Sequence, residues 1–353
     1  MKIDRLSTPA LILDEGIYNE NIVAMKKVLQ GSNLQLRPHY KSHKCAAIAR
    51  KQIEDGAVGM TCAKLDEALD LVDSGIENIL IANQIVDKKK LVRLAELAND
   101  CTLTVCVDNA ENIQAIENAA TLAGSTVHCL IEYEVGMQRC GVATKEEVLN
   151  LAKKISQCPH LVFDGVQAYA GHVSHMVSFE ERKTRIAENL VKIKELLAYL
   201  NEHGFAVKTV SGGSTGTAEI KAKEDIYTEL QAGSYLFMDS TYKDLNLPFK
   251  NALFVLTTVV SVNERLAVVD AGVKSCGVDQ GMPQCVGFTC AEIVASEEHF
   301  QLHKPTKKLK VGDKVLLIAG HCCSTVNLHD KIYLVKGGKV TDRITVSARG
   351  CSK

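Results

Sequence analysis

Short apolar runs rich in β-branched residues alternate with longer stretches of helical periodicity from about residue 30 to about residue 235. This alternation is typical of repeated strand–helix units whose strands lie in parallel. Eight such units in a chain of 353 residues predict an α/β fold with a (β/α)8 barrel of the TIM type, in preference to an open doubly wound sheet. The candidate strands are residues 34–38, 59–62, 79–82, 103–107, 127–132, 165–169, 208–211 and 228–231.

The last third of the chain has a different pattern. After about residue 240 the helical stretches give way to strand-like runs, and the segments KVGDKV and VKGGKV have the composition of hairpin turns. We therefore expect two domains: a barrel over residues 9–239 and a β-rich C-terminal domain over residues 240–353, which residues 1–8 join.

Composition narrows the classes of partner. The formal net charge is −1 with 24% charged residues, so we expect neither nucleic acid nor a membrane as a partner. The N-terminus lacks the basic and apolar regions of a signal peptide, and no run approaches the ~18 apolar residues of a membrane span, which predicts a cytoplasmic chain. Thirteen cysteines without a C-x-x-C motif are then expected to be reduced core residues. Small molecules remain the expected partners.

Polar side chains collect just after the candidate strands. Active sites of barrels lie at the C-terminal ends of the strands, so these side chains are expected to lie close together. They are Lys41, Lys64, Asn83, Asp108, Glu132, Arg139, Tyr169, His172 and Tyr235.

The stretch LRPHYKSHK places Lys41 at the top of the first candidate strand. Pro38 keeps the chain extended, so Lys41 should project toward the barrel axis while Lys44 opens the following helix. A lysine among other cations loses its proton more readily, and the free amine can attack a carbonyl carbon. A solvated loop would explain an isolated K-x-x-K equally well, but the position at a barrel mouth favours chemistry.

The segment SGGSTGT, residues 211–217, follows the seventh candidate strand. Its glycines expose backbone N–H groups and its hydroxyls add donors, which suits a phosphate at the place where barrels frequently bind one. It lacks the lysine of a P-loop and the spacing of a dinucleotide motif. A plain surface turn is the alternative.

The segment GHCCSTVNLHD, residues 320–330, brings imidazole and thiol groups together in the β-rich domain. These groups suit zinc, and so few protein ligands would leave positions for water or substrate. A buried strand end with a hydrogen-bonded histidine is the competing interpretation.

Lys41, the glycine-rich turn and the His-Cys-Cys segment, in this order, resemble the family of D-threonine aldolases and D-serine dehydratases. Members are fold-type III pyridoxal-phosphate (PLP) enzymes with an alanine-racemase-like barrel followed by a β domain. The resemblance covers nearly the whole chain, through TPALILD, RPHYKSHK, EYEVGMQRCGV, QAYAGHV, SGGSTGT, GSYLFMD and HCCSTVNLHD.

The resemblance implies a role for each matched residue. Lys41 is similar to the lysine that carries pyridoxal 5'-phosphate covalently and acts as catalytic base. Arg139 and Tyr169 match positions near the pyridoxal ring, and Tyr235 would close the phosphate pocket. His321 and Cys323 resemble ligands of Zn²⁺ or another divalent metal. The phosphate cradle would consist of Ser211, Gly212, Gly213 and Ser214.

The resemblance also implies a lyase that acts on D-3-hydroxy amino acids. The H-x-C spacing of His321 and Cys323 is similar to the dehydratases of D-serine and D-threo-3-hydroxyaspartate, so release of keto acid and ammonia is the first expectation. Cleavage to glycine and an aldehyde, as by a D-threonine aldolase, is the close alternative. An amino-acid racemase and a non-catalytic PLP-binding protein are further alternatives. By analogy we expect a homodimer in which the β domain completes the site of the partner barrel.

Overall fold

A computed structural model describes residues 1–353, and the chain divides into two compact units. We call them the barrel unit and the sheet unit. The barrel unit comprises Val28–Lys41, Ala46–Gly233 and Cys351–Lys353, and the sheet unit comprises Met1–Lys27, Ser42–Cys45 and Ser234–Gly350.

Seventeen strands and nine α-helices make up the regular structure. The strands are β1 (Ala10–Asp14), β2 (Gln35–Leu36), β3 (Met60–Cys62), β4 (Asn78–Ile81), β5 (Thr102–Val107), β6 (Val127–Glu132), β7 (Leu161–Gln167), β8 (Thr209–Gly212), β9 (Glu229–Leu230), β10 (Leu253–Val262), β11 (Leu266–Val269), β12 (Gln284–Cys285), β13 (Glu292–Ala295), β14 (Phe300–His303), β15 (Lys314–Ile318), β16 (Lys331–Lys336) and β17 (Lys339–Thr345). The helices are α1 (Glu15–Leu29), α2 (Ala46–Glu54), α3 (Leu65–Asp73), α4 (Lys88–Leu97), α5 (Ala110–Ala123), α6 (Lys145–Ser156), α7 (Phe179–Glu202), α8 (Ala218–Lys221) and α9 (Cys322–Val326).

The barrel unit contains eight parallel strands in the order β2-β9-β8-β7-β6-β5-β4-β3. The two ends of this sheet meet, because the N–H of Thr61 donates to the carbonyl of Pro38 at 2.9 Å and that of Val58 donates to Leu36 at 3.0 Å. A parallel bridge between His39 and Thr61 continues the same contact. The predicted (β/α)8 barrel and all eight of its strands are therefore confirmed.

Local sequence fixes the helices that alternate with these strands. The side chain of Asn109 caps the N-terminus of α5, and Gly124 ends that helix in the left-handed conformation, at φ +64°. Thr144 and Glu147 form a capping box at the start of α6. Such caps satisfy backbone groups that a helix end would leave without partners, so each helix has a defined length between its strands.

The sheet unit contains the nine remaining strands, which form one mostly antiparallel sheet in the order β13-β14-β11-β10-β1-β16-β17, with β15 pairing with β10 and β12. The predicted β-rich C-terminal domain is confirmed. The predicted domain boundary at residue 9 differs from the structure, because β1 pairs with β10 and β16 in this sheet. The eight strands β2–β9 already close the barrel, so no strand edge is left there with which β1 could pair.

The cysteines form no disulfide bonds in this fold. All thirteen cysteines are free thiols, and Cys62, Cys106 and Cys129 lie fully buried in β3, β5 and β6, as predicted. None of the helices combines the length and the apolar character needed to cross a membrane.

Candidate active site

A cavity of about 210 Å³ opens at the C-terminal ends of the barrel strands. Its lining comes from the last residue of β7 and from the loops after β2, β3, β4, β6, β7 and β9, so that residues distant in sequence converge there. This is the end of a barrel at which active sites are found. The lining residues are His39, Lys41, Ala63, Ala82, Asn83, Arg139, Cys140, Gln167, Tyr169 and Gln231.

Lys41 reaches this cavity from a single 3-10 turn, Tyr40–Ser42, that follows β2. The backbone N–H of Lys41 donates to Nδ1 of His39 at 3.4 Å, which ties the lysine to the bridge that closes the barrel. Its Nζ lies 6.0 Å from the centre of the Tyr169 ring. A primary amine thus faces an aromatic wall inside the cavity.

Of the four cations that we predicted around Lys41, which are Arg37, His39, His43 and Lys44, only His39 lines the same cavity. Arg37 donates from Nη2 to the Glu229 carboxylate at 2.7 Å and lines a second cavity of about 200 Å³ with Thr102 and Lys208. Thr102 begins β5 and Lys208 directly precedes β8, so the Arg37 side chain reaches toward the N-terminal ends of the strands, opposite Lys41. Lys44 belongs to the sheet unit and donates from Nζ to the carbonyl of Ala348 at 3.4 Å.

Arg139 and Glu132 add charge beside the cavity. The Arg139 guanidinium carbon lies 5.8 Å from the centre of the Tyr169 ring, within the range of a cation–π contact. The buried Glu132 carboxylate accepts a hydrogen bond from Nε2 of Gln84 at 2.6 Å. Burial raises the pKa of Glu132, although this hydrogen bond and the charge of Arg139 oppose the shift.

Residues 211–217, which we call the phosphate turn, begin in the last two residues of β8. Two adjacent glycines of this turn, Gly212 and Gly213, are tightly packed. Gly213 has φ +79°, and the Cβ of an alanine at position 212 would fall 2.5 Å from the carbonyl oxygen of Ala168. Both positions therefore require glycine. Ser211 is fully buried at the end of β8, where its Oγ accepts a hydrogen bond from Nε2 of Gln231 at 3.0 Å.

The phosphate turn retains polar groups that a phosphate would satisfy. Thr215 is 1% exposed, and its Oγ1 is buried without a hydrogen-bond partner. Ser214 accepts a hydrogen bond from Oγ of Ser174 at 2.7 Å. A buried hydroxyl without a partner is costly, so an anion that accepts its hydrogen bond would stabilise the turn. The residues present therefore fit a phosphate group.

Tyr235 lies in the sheet unit, where it is 2% exposed. Its ring centre is 5.9 Å from that of Phe249. The role that we predicted for Tyr235 in closing the phosphate pocket stays a prediction.

His321 and Cys323, the predicted metal ligands, lie at the start of α9 in the sheet unit. His321 is hydrogen-bonded through Nδ1 to the Asp279 carboxylate at 2.7 Å, and Sγ of Cys323 contacts Oγ of Ser42 at 3.5 Å. Burial lowers the pKa of His321, but Cys323 and Asp279 outweigh this effect and raise it to about 9. No group of three or more His, Cys, Asp or Glu side chains is arranged to hold a metal ion.

The donor set of this pair nevertheless fits a soft divalent metal. Imidazole and thiolate are the ligands that zinc prefers. In such sites the ring nitrogen of a histidine that does not bind the metal usually donates a hydrogen bond to a carboxylate. The Asp279 carboxylate is placed to accept this bond from Nδ1 of His321. Cys322, which lies between the two candidate ligands in the chain, is the first residue of a short helix and is fully buried.

Three residues in or beside these sites carry no signal of their own in the sequence. Asp279 lies 42 positions before His321, and no local pattern connects the two. Thr215 lies within the SGGSTGT segment, but the sequence does not distinguish it from the other hydroxyl residues there. Lys221 follows the phosphate turn as one of several lysines, and only its complete burial sets it apart.

Comparison with protein families identifies the class to which this barrel and this site belong. Residues 14–241 match the alanine racemase N-terminal domain, and residues 252–335 match a serine dehydratase domain. The fold is thus that of PLP enzymes built on an alanine-racemase-type barrel.

Individual relatives narrow the class further. The chain is 38% identical to a 3-hydroxy-D-aspartate aldolase of Paracoccus denitrificans, over 99% of this chain and 94% of the relative. It is 39% identical to a D-threonine aldolase of an Arthrobacter species over the same shares of the two chains. The crystal structure of D-threonine aldolase from Filomicrobium marinum superposes with a TM-score of 0.95 at 36% identity, over 100% of this chain and 98% of that one. The chain belongs to the D-threonine aldolase and D-serine dehydratase family of PLP-dependent lyases, and the resemblance seen in the sequence is confirmed.

Proposed function

We propose that this protein is an aldolase of D-3-hydroxy amino acids, with D-threonine and 3-hydroxy-D-aspartate as the substrate types. The observation that carries the proposal is the 38–39% identity to aldolases of these substrates over 99% of the chain. A D-threo-3-hydroxyaspartate dehydratase of Delftia is 30% identical over 78% of the chain. Our first expectation of a dehydratase is therefore less well supported than its aldolase alternative.

The reaction breaks the bond between Cα and Cβ of the substrate. The β-hydroxyl loses its proton, the electron pair of the broken bond stays on Cα, and Cα then takes up a proton. D-Threonine would give glycine and acetaldehyde, and 3-hydroxy-D-aspartate would give glycine and glyoxylate. The reaction balances without an oxidant or another reactant.

Pyridoxal phosphate supplies an electron-withdrawing ring that stabilises negative charge on Cα. Lys41 would hold the cofactor through its amine, and the phosphate turn would hold the phosphate. The ring of Tyr169, 6.0 Å from Nζ of Lys41, would limit where the cofactor ring can lie. Arg139 keeps a fixed positive charge on the same wall of the cavity.

His321 and Cys323 would bind the divalent metal, which supplies Lewis-acid polarisation of the β-hydroxyl. Asp279 would orient the imidazole through its 2.7 Å hydrogen bond to Nδ1. Ser42, which Cys323 contacts, is the residue after Lys41 in the chain. A relative gives further support. A structure of the Delftia dehydratase with a cysteine-to-alanine substitution is described as the metal-free form, which implies that this enzyme also has a metal-bound form.

The test is a product analysis by NMR and mass spectrometry. The purified holoenzyme is incubated with D-threonine, D-threo-3-hydroxyaspartate and D-serine, with L-threonine as the stereochemical control. We expect glycine and an aldehyde from the first two substrates, and loss of turnover after chelation. Keto acid and ammonia without glycine would overturn the aldolase assignment in favour of a dehydratase. Full turnover after metal removal would remove the metal from the proposal.

Dehydration is the second candidate because of Cys323. The resemblance associates H-x-C at this position with dehydratases, whereas aldolases of the family tend to have H-x-D. A His321→Ala variant and a Cys323→Asp variant separate the two candidates. If the thiolate serves dehydration, Cys323→Asp should raise the ratio of glycine to keto acid, while His321→Ala should depress both products together.

Assembly and location are also proposals. We propose a homodimer in which the β-rich domain of one chain completes the site of the partner barrel, and a cytoplasmic location. The analogy to the fold type supports the first, and the free state of all thirteen thiols, which a reducing compartment preserves, supports the second.

A further inference from the structure

Lys221 is a buried lysine without a counter-charge. It ends α8 directly after the phosphate turn and is 1% exposed. Burial lowers the pKa of its amine well below the usual range, and no neighbouring charge contributes to that shift. A protonated amine is expensive to bury without an opposite charge, so the position calls for an explanation.

Packing alone does not supply that explanation. Nζ of Lys221 lies 3.1 Å from the centre of the Tyr227 ring, whose face attracts a cation. An unbranched apolar side chain such as methionine, which is one atom shorter, would fill most of the same space without the cost of burying an amine. The aromatic ring offsets only part of that cost, because its quadrupole is weaker than the charge of an anion.

The contacts of Lys221 place it under the phosphate turn. The Cβ of an alanine at position 213 would fall 2.8 Å from Cδ and 3.2 Å from Cε of Lys221. The Cβ of an alanine at position 212 would fall 2.9 Å from Cε1 of Tyr227. Lys221 and its aromatic partner therefore lie against the two adjacent glycines of the turn.

A second group in the same turn also lacks a partner. Oγ1 of Thr215 is buried and makes no hydrogen bond. A hydroxyl donor and an ammonium group beside a glycine turn are the donors that a phosphate monoester accepts. A carboxylate would use fewer of these donors than a phosphate, which has three terminal oxygens.

We propose that Lys221 provides the positive charge that retains the phosphate of the cofactor on the turn of residues 211–217. The inference rests on the proposed PLP site and adds a residue to it. Lys221 acts on the phosphate and not on the reacting atoms, so its loss should weaken cofactor binding while leaving the chemistry of the bound cofactor intact.

The test compares ligands with and without the phosphate. Apoenzyme is titrated with pyridoxal phosphate, with pyridoxal and with inorganic phosphate, in the wild type, in Lys221→Met and in Lys223→Met. Lys223 is exposed and two residues away, so its variant controls for the loss of a lysine near α8. Lys221→Met should weaken pyridoxal phosphate and inorganic phosphate by about 10- to 100-fold, as expected for a charged hydrogen-bond donor, and leave pyridoxal unchanged.

Each outcome decides a different point. Equal weakening of pyridoxal phosphate and pyridoxal would show that Lys221 only supports the fold, and unchanged affinity for both would remove it from the site. If Lys221→Met does not fold, as judged by circular dichroism, Lys221→Gln is titrated with the same three ligands and the same criteria. Failure of the wild type to bind pyridoxal phosphate would overturn the proposed function itself, a result distinguishable from an unchanged variant.

Discussion

Lys41 is the residue on which the proposed chemistry depends. In Lys41→Arg the positive charge stays but the amine that bonds to the cofactor aldehyde is lost. We expect turnover to fall by roughly 10²–10⁴-fold, the contribution typical of a positioned base. Borohydride reduction and peptide mapping should find a pyridoxyl group on Lys41 in the wild type and none in the variant.

Lys64 provides the control for this experiment, since it follows the next strand, β3, and does not line the cavity. Lys64→Arg should keep both turnover and the pyridoxyl label. A label on Lys64 or on Lys44 in the wild type would contradict the assignment.

Glu132 should contribute a pH-dependent cost to stability. Burial raises its pKa in the folded chain above the unfolded value of about 4.3. At pH values between the unfolded and the folded pKa of Glu132, the folded chain binds more protons than the unfolded chain. The free energy of unfolding therefore falls as pH rises through this range, and the whole destabilisation is present at neutral pH. Glu132→Gln keeps an acceptor for Gln84 and should raise the melting temperature at pH 7.

The gain in Glu132→Gln should disappear below about pH 4, where the carboxyl of the wild type is protonated in both states. Melting curves of the two proteins between pH 3.5 and pH 8 would measure it. A gain that is the same at every pH would mean that side-chain packing, and not charge, is responsible.

At the scale of one element, the phosphate turn should tolerate no side chain at its second glycine. Gly213→Ala would place Cβ 2.8 Å from Leu230 and from Lys221, both buried. Gly124, the C-cap of α5, has a similar φ of +64° with no atom within 4 Å of its Cβ position. Both variants should lose about 1–2 kcal/mol from backbone strain, and Gly213→Ala should lose about 1–3 kcal/mol more from overpacking.

Denaturant unfolding measures this difference, and cofactor retention gives a second readout. Gly213→Ala should release pyridoxal phosphate more readily than Gly124→Ala. Equal retention in the two variants would contradict the role of the turn in holding the phosphate.

The whole molecule is expected to function as a dimer. Light scattering coupled to gel filtration should give twice the 38.4 kDa mass of one chain. If the partner completes each site, specific activity should decline on dilution to concentrations at which the dimer dissociates. A monomer with full activity would contradict the shared site.

The sequence by itself determined the barrel and the motif of the phosphate turn. The eight strands could be counted because each carries its own apolar β-branched run, and helix ends such as Gly124 have local stop signals. The turn is also recognisable from local sequence, because its backbone requires a glycine at position 213, where φ is +79°. Lys41, Arg139 and Tyr169 line the cavity because the C-terminal ends of parallel strands necessarily meet at one end of a barrel.

Only the tertiary structure decided which distant residues become partners. Arg37 precedes Lys41 by four residues yet pairs with Glu229 at the opposite end of the barrel. Asp279 meets His321, and β1 joins the second sheet although it precedes the barrel in the chain. Lys221 differs from an exposed lysine only through its burial under Gly213. These contacts depend on how elements far apart in sequence pack in three dimensions, and a local pattern of residues carries no record of that packing.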